Sequence, residues 1–245
     1  MPPTRQPRVR AVRFSYPAHH STGEHVHDDH QLVYAGDGVL SVETATFRWV
    51  LPSQQAAWIP AGEAHTVVAE SDATMATLYV EPLGAPTLDE LTVFDVSPLL
   101  RHLVLALLDD SVGSADARAR VEQVVLDQLD LASEVPVRLS RVRDPRLRAV
   151  VDALEVDPRD RRTLAQFGAT IGAGERTLQR LFLAETGTTF GRWRTTYRLQ
   201  HGLVWLGRGA SVTTAATRSG YDQPSAFIAA FKIAFGVTPG QYVNR

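Results

Sequence analysis

Two groups of residues have the types and spacing that chemistry needs. The first is His25-Val26-His27-Asp28-Asp29-His30-Gln31, followed later by Pro60-Ala61-Gly62-Glu63-Ala64-His65. Alternate residues of an extended strand share a face, so His25, His27 and Gln31 are expected to point inward together and His30 away. Three imidazoles, His25, His27 and His65, suit zinc, iron, copper or nickel, with manganese a further candidate. Neutral Gln31 or water would then hold the fourth position. The same residues also suit a polar lining for an organic effector, or solvated strand ends, and the sequence leaves these readings open. The second group is Arg176-Thr177-Leu178-Gln179-Arg180-Leu181-Phe182. At helical spacing Leu178, Leu181 and Phe182 bury one face, while Arg176, Gln179 and Arg180 project from the other. Guanidinium and amide groups match the major-groove edges of guanine and adenine.

Each group needs elements to hold it. From Val9 to about Glu81 short alternating runs are separated by turn signals: Val9–Tyr16, Gln31–Tyr34, Val39–Thr44, Thr46–Leu51, Ala56–Ile59, His65–Glu70 and Thr74–Glu81. That many short strands imply a small barrel or jelly roll. Phe47, Trp49, Trp58, Tyr34 and Tyr79 could line its cavity, although strand aromatics more often serve as plain core. From Ser97 the period changes to about 3.6, which predicts helices near 98–108 and 116–133. These helices either cap the barrel or pair with a second subunit, and Gln128 within the apolar stripe fits both arrangements. Residues 134–143 read as a linker, because Pro136 disfavours helix before it.

Beyond Asp144-Pro145 the pattern is helical throughout. A short helix capped by Thr163 leads through Ile171-Gly172-Ala173-Gly174 into the Arg176 helix, in the order helix, glycine turn, helix. A long helix from about Thr189 to Leu206 follows, with Arg192, Arg194, Arg198 and His201 on one side. A second short helix, a glycine turn and the run Pro224-Ser225-Ala226-Phe227-Ile228-Ala229-Ala230-Phe231-Lys232 then repeat the design.

Charge divides along the same line. From Ser140 onward 16 basic residues stand against 8 acidic, whereas the preceding residues hold the other 9 basic and 19 acidic. Such asymmetry suits one part that meets a polyanion and one that does not. The chain has no cysteine, which excludes a disulfide framework and any thiolate-held metal. No apolar run of about 18 residues and no signal peptide is seen. The expectation is a soluble cytoplasmic protein with no membrane partner, whose first residues form a loose arm.

The histidine motifs resemble those of the cupins, H-x-H with a later carboxylate and glycine, then P-x-G-x-x-H. His25, His27 and His65 occupy the histidine positions, Gln31 stands in place of the Glu, and Gly38 matches the glycine. His19, Gln54 and Ala69 depart from the pattern. From about Asp144 to Asn244 the chain resembles the AraC/XylS family of bacterial transcription regulators, through R-T-L-Q-R-L-F, E-T-G, G-Y-x-x-P-S-A-F-x-x-A-F and F-G-V-T-P. H-Q-L-V-Y and W-I-P-A-G-x-x-H extend that likeness into the first half.

The resemblance implies a two-domain α+β protein. A cupin-like β-barrel (1–96) is followed by a helical capping or dimerisation segment (97–133), the linker (134–143) and an all-α domain with two helix-turn-helix units (144–245). It implies a non-enzymatic regulator that binds double-stranded promoter DNA under control of a small molecule or metal held by His25, His27, Gln31 and His65, with homodimers a further partner state. The DNA-contacting set it implies is Arg176, Thr177, Gln179, Arg180, Arg194, Ser225 and Lys232, with Pro224, Ala226 and Ala229 also at base-facing positions. Gly174 stands where a Ser usually caps the first recognition helix. Because the second recognition helix offers almost no base-reading side chain, discrimination is expected to concentrate in the first. Two alternatives remain: a metal-dependent cupin enzyme carrying a DNA-binding tail, and a DNA-binding protein with an inert dimerising barrel.

Overall fold

The computed structural model describes residues 8–82, 88–132, 134–135 and 137–243. The expected N-terminal arm, Ser133, Pro136 and Asn244 lie outside them. The strands are β1 Val9–Tyr16, β2 His30–Asp37, β3 Val39–Glu43, β4 Phe47–Pro52, β5 Gln55–Ile59, β6 Thr66–Ala69, β7 Ala73–Val80, β8 Thr92–Asp95 and β9 Leu139–Ser140. The helices are α1 Pro98–Leu108, α2 Ala115–Asp130, α3 Pro145–Val156, α4 Leu164–Ile171, α5 Glu175–Thr186, α6 Phe190–Gly207, α7 Val212–Arg218, α8 Pro224–Phe235 and α9 Pro239–Val243. Two compact units result: residues 1–44 with 50–136, and residues 45–49 with 137–245.

The first unit is built on two antiparallel sheets. One has the order β1-β7-β2-β5-β8, and β3 pairs with β6 in the other. β7 pairs with both β1 and β2, Arg10 opposite Tyr79 on one side and Gln31 opposite Tyr79 on the other. Leu32, Tyr34, Trp58, Leu78 and Phe94 on this sheet pack with Leu100, Val104, Leu107, Val125 and Leu129 of α1 and α2. Tyr34 and Trp58, candidates for either cavity lining or plain core, therefore belong to the sheet–helix core. The reason is strand parity: their neighbours on the opposite face are the ones that turn toward the histidines. Gln128 is accounted for within one subunit, since its Oε1 accepts from Ser97 Oγ, the N-cap of α1, at 3.1 Å. Strand β8, T-V-F-D, is not among the runs the sequence marks. The stretch 134–143, expected to be linker, contains β9, whose Ser140 and Leu139 pair with Phe47 and Arg48 of β4.

In the second unit Leu147, Leu154, Phe167, Leu178, Phe182, Trp193 and Tyr197 form one core. Several helices start on a side chain suited to the task. Asp144 caps α3 ahead of Pro145, Thr163 and Gln166 form a reciprocal capping box on α4, and Ser211 caps α7. α5 begins on Gly174 with no side-chain cap, as its sequence requires. The turn between α4 and α5 is tight. Gly172 takes the left-handed conformation at φ 78°. At Gly168 an added Cβ would run into the Ala173 carbonyl, so glycine is what lets the helix and turn approach.

Candidate effector site and nucleic-acid interface

The three predicted histidines converge, by a route the parity argument did not foresee. β2 begins only at His30, so His25 and His27 precede it and share no continuous strand with Gln31. An isolated bridge joins His25 to His65 instead, with reciprocal N–H···O bonds of 3.0 Å. Gly62 N–H also donates to the His27 carbonyl at 2.9 Å. One ligand atom from each histidine then falls within 4.8 Å of the others. His30 does face away, stacking on Trp58 and accepting from Ala61 N–H through Nδ1 at 3.1 Å. Of the aromatics that could line a cavity, Tyr79 reaches the site, edge-on to His27 at 5.0 Å between ring centres.

Hydrogen bonds fix the direction of the rings. His65 Nδ1 lies 2.9 Å from the Glu63 carbonyl and His25 Nδ1 lies 2.9 Å from the Gly23 carbonyl. A carbonyl can only accept, so in the neutral rings both Nδ1 atoms carry the proton and both Nε2 atoms keep a free lone pair. His27 Nε2 is buried with no hydrogen-bond partner. His65 is 1 % exposed, and burial pulls its pKa down to about 4, against a raising hydrogen bond from the Glu63 backbone. Burial also lowers the pKa of His27, helped by nearby His25 and Arg10. Gln31, 2 % exposed, presents Oε1 to His65 Nε2 at 3.0 Å. Neutral imidazoles with oriented lone pairs and a carbonyl oxygen are the donor set of a borderline transition-metal ion. Thr77, which holds the other end of the Gln31 amide, was missed by the sequence reading, because a Thr in a strand gives no signal apart from its β-propensity.

On the second unit Arg176, Gln179, Arg180 and Leu183 stand exposed on α5, opposite buried Leu178 and Phe182. They border a cleft of about 990 Å³ completed by Thr163, Thr177 and the start of α6. Gln179 Nε2 donates to Glu175 Oε1 at 3.0 Å, one helical turn back. Arg194 reaches this cleft but is half buried. Its Nη1 donates to the Arg162 carbonyl at 2.9 Å, its guanidinium lies 4.8 Å over the Phe190 ring, and burial lowers its pKa. Arg198, expected beside it, is likewise tied to the Pro158 and Asp160 carbonyls. On α8 Ser225, Ala226, Ala229 and Lys232 are exposed, while Phe227 and Phe231 are buried. The two units thus share one plan with different outward chemistry: guanidinium and amide groups on α5, small side chains with one lysine on α8.

A model of the AraC-like ligand binding domain matches residues 6–155, and a helix-turn-helix domain model matches residues 168–245. The chain belongs to the AraC family of transcriptional regulators. As an AraC-family member it is a DNA-binding regulator with an N-terminal ligand-binding domain. It is 31% identical over 223 residues to the HTH-type transcriptional regulator NimR of Escherichia coli, covering 90% of this chain and 82% of NimR. The regulator RipA of Corynebacterium glutamicum is 33% identical over 97 residues, 40% of this chain and 29% of RipA. Among solved structures, ToxT from Vibrio cholerae is similar at 11% identity and a TM-score of 0.41, covering 96% of this chain and 98% of ToxT. Among the described residues of this AraC-family chain, no helix is long and apolar enough to cross a membrane.

Proposed function

We propose that this AraC-family regulator is controlled by a divalent transition-metal ion held by His25, His27, His65 and Gln31. The observation that supports this best is the gathering of one ligand atom from each histidine within 4.8 Å of the others. Two Nδ1 atoms are locked to backbone carbonyls, His27 Nε2 is buried and unpartnered, and Gln31 Oε1 faces His65 Nε2. A tetrahedral ion bound at 2.0–2.1 Å holds its ligands about 3.3 Å apart. The present spread of up to 4.8 Å therefore requires the imidazoles to close slightly. Bound there, the ion would supply a fixed positive charge and a further cross-link between the 25–27 segment and His65, just ahead of β6. An ion shifts the regulator only as far as it binds the DNA-competent and DNA-incompetent states unequally.

On the DNA side, Arg176, Thr177, Gln179 and Arg180 read base edges, and Ser225 contacts the second groove. Arg194, through its Arg162 contact, steadies the cleft while remaining within reach of a phosphate. Lys232 grips the backbone, aided by the amides at the α8 N-terminus. The parts are a barrel over 1–96, a helical segment over 97–133 and a DNA-binding domain from 144. In this reading the exposed Leu99, Val124 and Leu131 form the homodimer contact. The protein works in the cytoplasm, where promoter DNA is. The alternative of a cupin enzyme with a DNA-binding tail draws on the same three histidines and gains nothing specific from the geometry.

Footprinting on DNA flanking the gene, with zinc, nickel, iron(II), copper, manganese or chelator added, tests these statements together. One ion should change DNA affinity by about 5- to 150-fold, the usual range of allosteric coupling. His25→Ala, His27→Ala and His65→Ala should each abolish the change. If protection is the same with every ion and with chelator, the metal reading fails and the DNA reading stands. If no duplex is protected, the DNA reading fails.

A further inference from the structure

The Gln31 amide can face the histidines with either end, and the two ends have opposite effects. Its oxygen offers a lone pair to an ion shared with His65. Its NH₂ would instead donate to His65 Nε2 and occupy the lone pair that coordinates. The far side of the amide decides between them. Thr77, fully buried on β7, has one hydroxyl proton, and it donates that proton to the Leu32 carbonyl at 2.8 Å. The Thr77 oxygen is left with lone pairs only, and Gln31 Nε2 donates to it at 3.1 Å, with Tyr79 Oη at 3.4 Å. Turning the amide over would exchange the acceptor pair at His65 for one at Thr77, and a cation between the histidines relieves the first but not the second. Gln31 Oε1 points at His65 Nε2, 3.0 Å away. Because His65 Nδ1 already donates to Glu63, two lone pairs meet across that gap. The contact is unfavourable until a cation accepts both.

We infer that Thr77 is a positioning residue that holds the Gln31 carbonyl oxygen toward His65, making Gln31 a neutral fourth ligand to the ion; this rests on the metal reading above. A carboxylate has two equivalent oxygens and needs no such orientation, but an amide does. A neutral oxygen also leaves the ion's charge uncompensated, so the ion is held more weakly than with glutamate and can be released when its supply falls.

The test uses the full-length protein and cobalt(II), titrated by equilibrium dialysis and followed by its d–d absorption. Thr77→Val preserves shape and removes the acceptor. It should weaken cobalt binding about 10- to 100-fold, the usual effect of losing such a supporting contact, and alter the absorption band. Thr77→Ser should restore both. The deciding comparison is made in Gln31→Glu, where adding Thr77→Val should leave cobalt affinity within about twofold, a coupling that a double-mutant cycle reads directly. An equal loss in both backgrounds would make Thr77 a packing residue and overturn the inference, as would wild-type binding by Thr77→Val. If the valine variant does not fold, Thr77→Ala gives the same comparison. A wild-type protein that takes up no cobalt overturns the metal reading itself and this inference with it, and that result is in hand before any variant is made.

Discussion

Gly168→Ala sets two effects of opposite sign against each other. Helix propensity alone favours alanine inside α4 by about 1 kcal/mol. Packing opposes it. The new Cβ would run into the Ala173 carbonyl, with Leu178 Cδ1 a further 3.5 Å contact. That carbonyl belongs to a turn with little slack, because the Gly172 and Ala173 N–H groups both donate to the Gly168 carbonyl, at 2.8 and 2.9 Å. Overpacking costs typically 1–3 kcal/mol, and a backbone partner places this case in the upper part of that range. Subtracting the propensity gain leaves a net loss of about 1–2 kcal/mol. In a domain of about 100 residues this lowers Tm by roughly 5–15 °C. Since the same turn sets α5 against α4, DNA affinity should fall well below the melting temperature too. Calorimetry on the full chain and anisotropy on a protected duplex measure the two effects. Gly191→Ala is the control: it lies exposed in the first turn of α6 with nothing within 4 Å of the new Cβ, and should be neutral or stabilising by up to about 1 kcal/mol. If Gly168→Ala melts at or above the wild type, the turn has room to spare and the packing argument is wrong.

Arg180→Ala should weaken specific DNA binding by about 1–3 kcal/mol and relax preference at one base pair. A uniform loss over all sequences, measured by competition, would reassign Arg180 to the phosphate backbone. Gly174→Ser should add a few tenths of a kcal/mol by capping α5, visible as a small rise in Tm, and no rise would mean that the serine hydroxyl does not reach the α5 amides. For the metal-free protein the pH dependence has a definite sign. His65 in the fold titrates at about 4 against an ordinary 6.5, so the unfolded chain binds the proton first as pH falls. Stability is complete above pH 6.5 and is lost toward pH 4, by an amount on the order of 3 kcal/mol. His65→Gln should make Tm fall less steeply with decreasing pH over that window, leaving the dependence that His27 contributes, and parallel curves for the two proteins would contradict the assignment.

Much of this protein is legible in the sequence because its signals are local. Asp144-Pro145 and Thr163 announce helix starts through caps that need nothing from the rest of the chain. Seven strands announce themselves by alternation, and the Arg176 helix by its apolar stripe. What stayed hidden depends on pairing across the fold. β9 is two residues long and exists only because Phe47 and Arg48 lie opposite it. His25 reaches the site through a bridge to His65, and His27 is held by the Gly62 N–H at its carbonyl, whereas sequence alone suggested a continuous strand. Tyr34 and Trp58 are favoured as core by their strand setting, but that α1 and α2 are what they pack against is visible only in the fold. The orientation of Gln31 was beyond reach altogether, since it turns on where the single proton of Thr77 goes.

The bareness of α8 has a consequence for the DNA as well. In the proposed reading, Ser225, Ala226 and Ala229 can seat against many sequences without losing a hydrogen bond, whereas a wrong base under Arg180 strands a charged group. Promoters answering to this regulator should therefore share one sharply defined box, next to a companion turn of the duplex that has been free to drift.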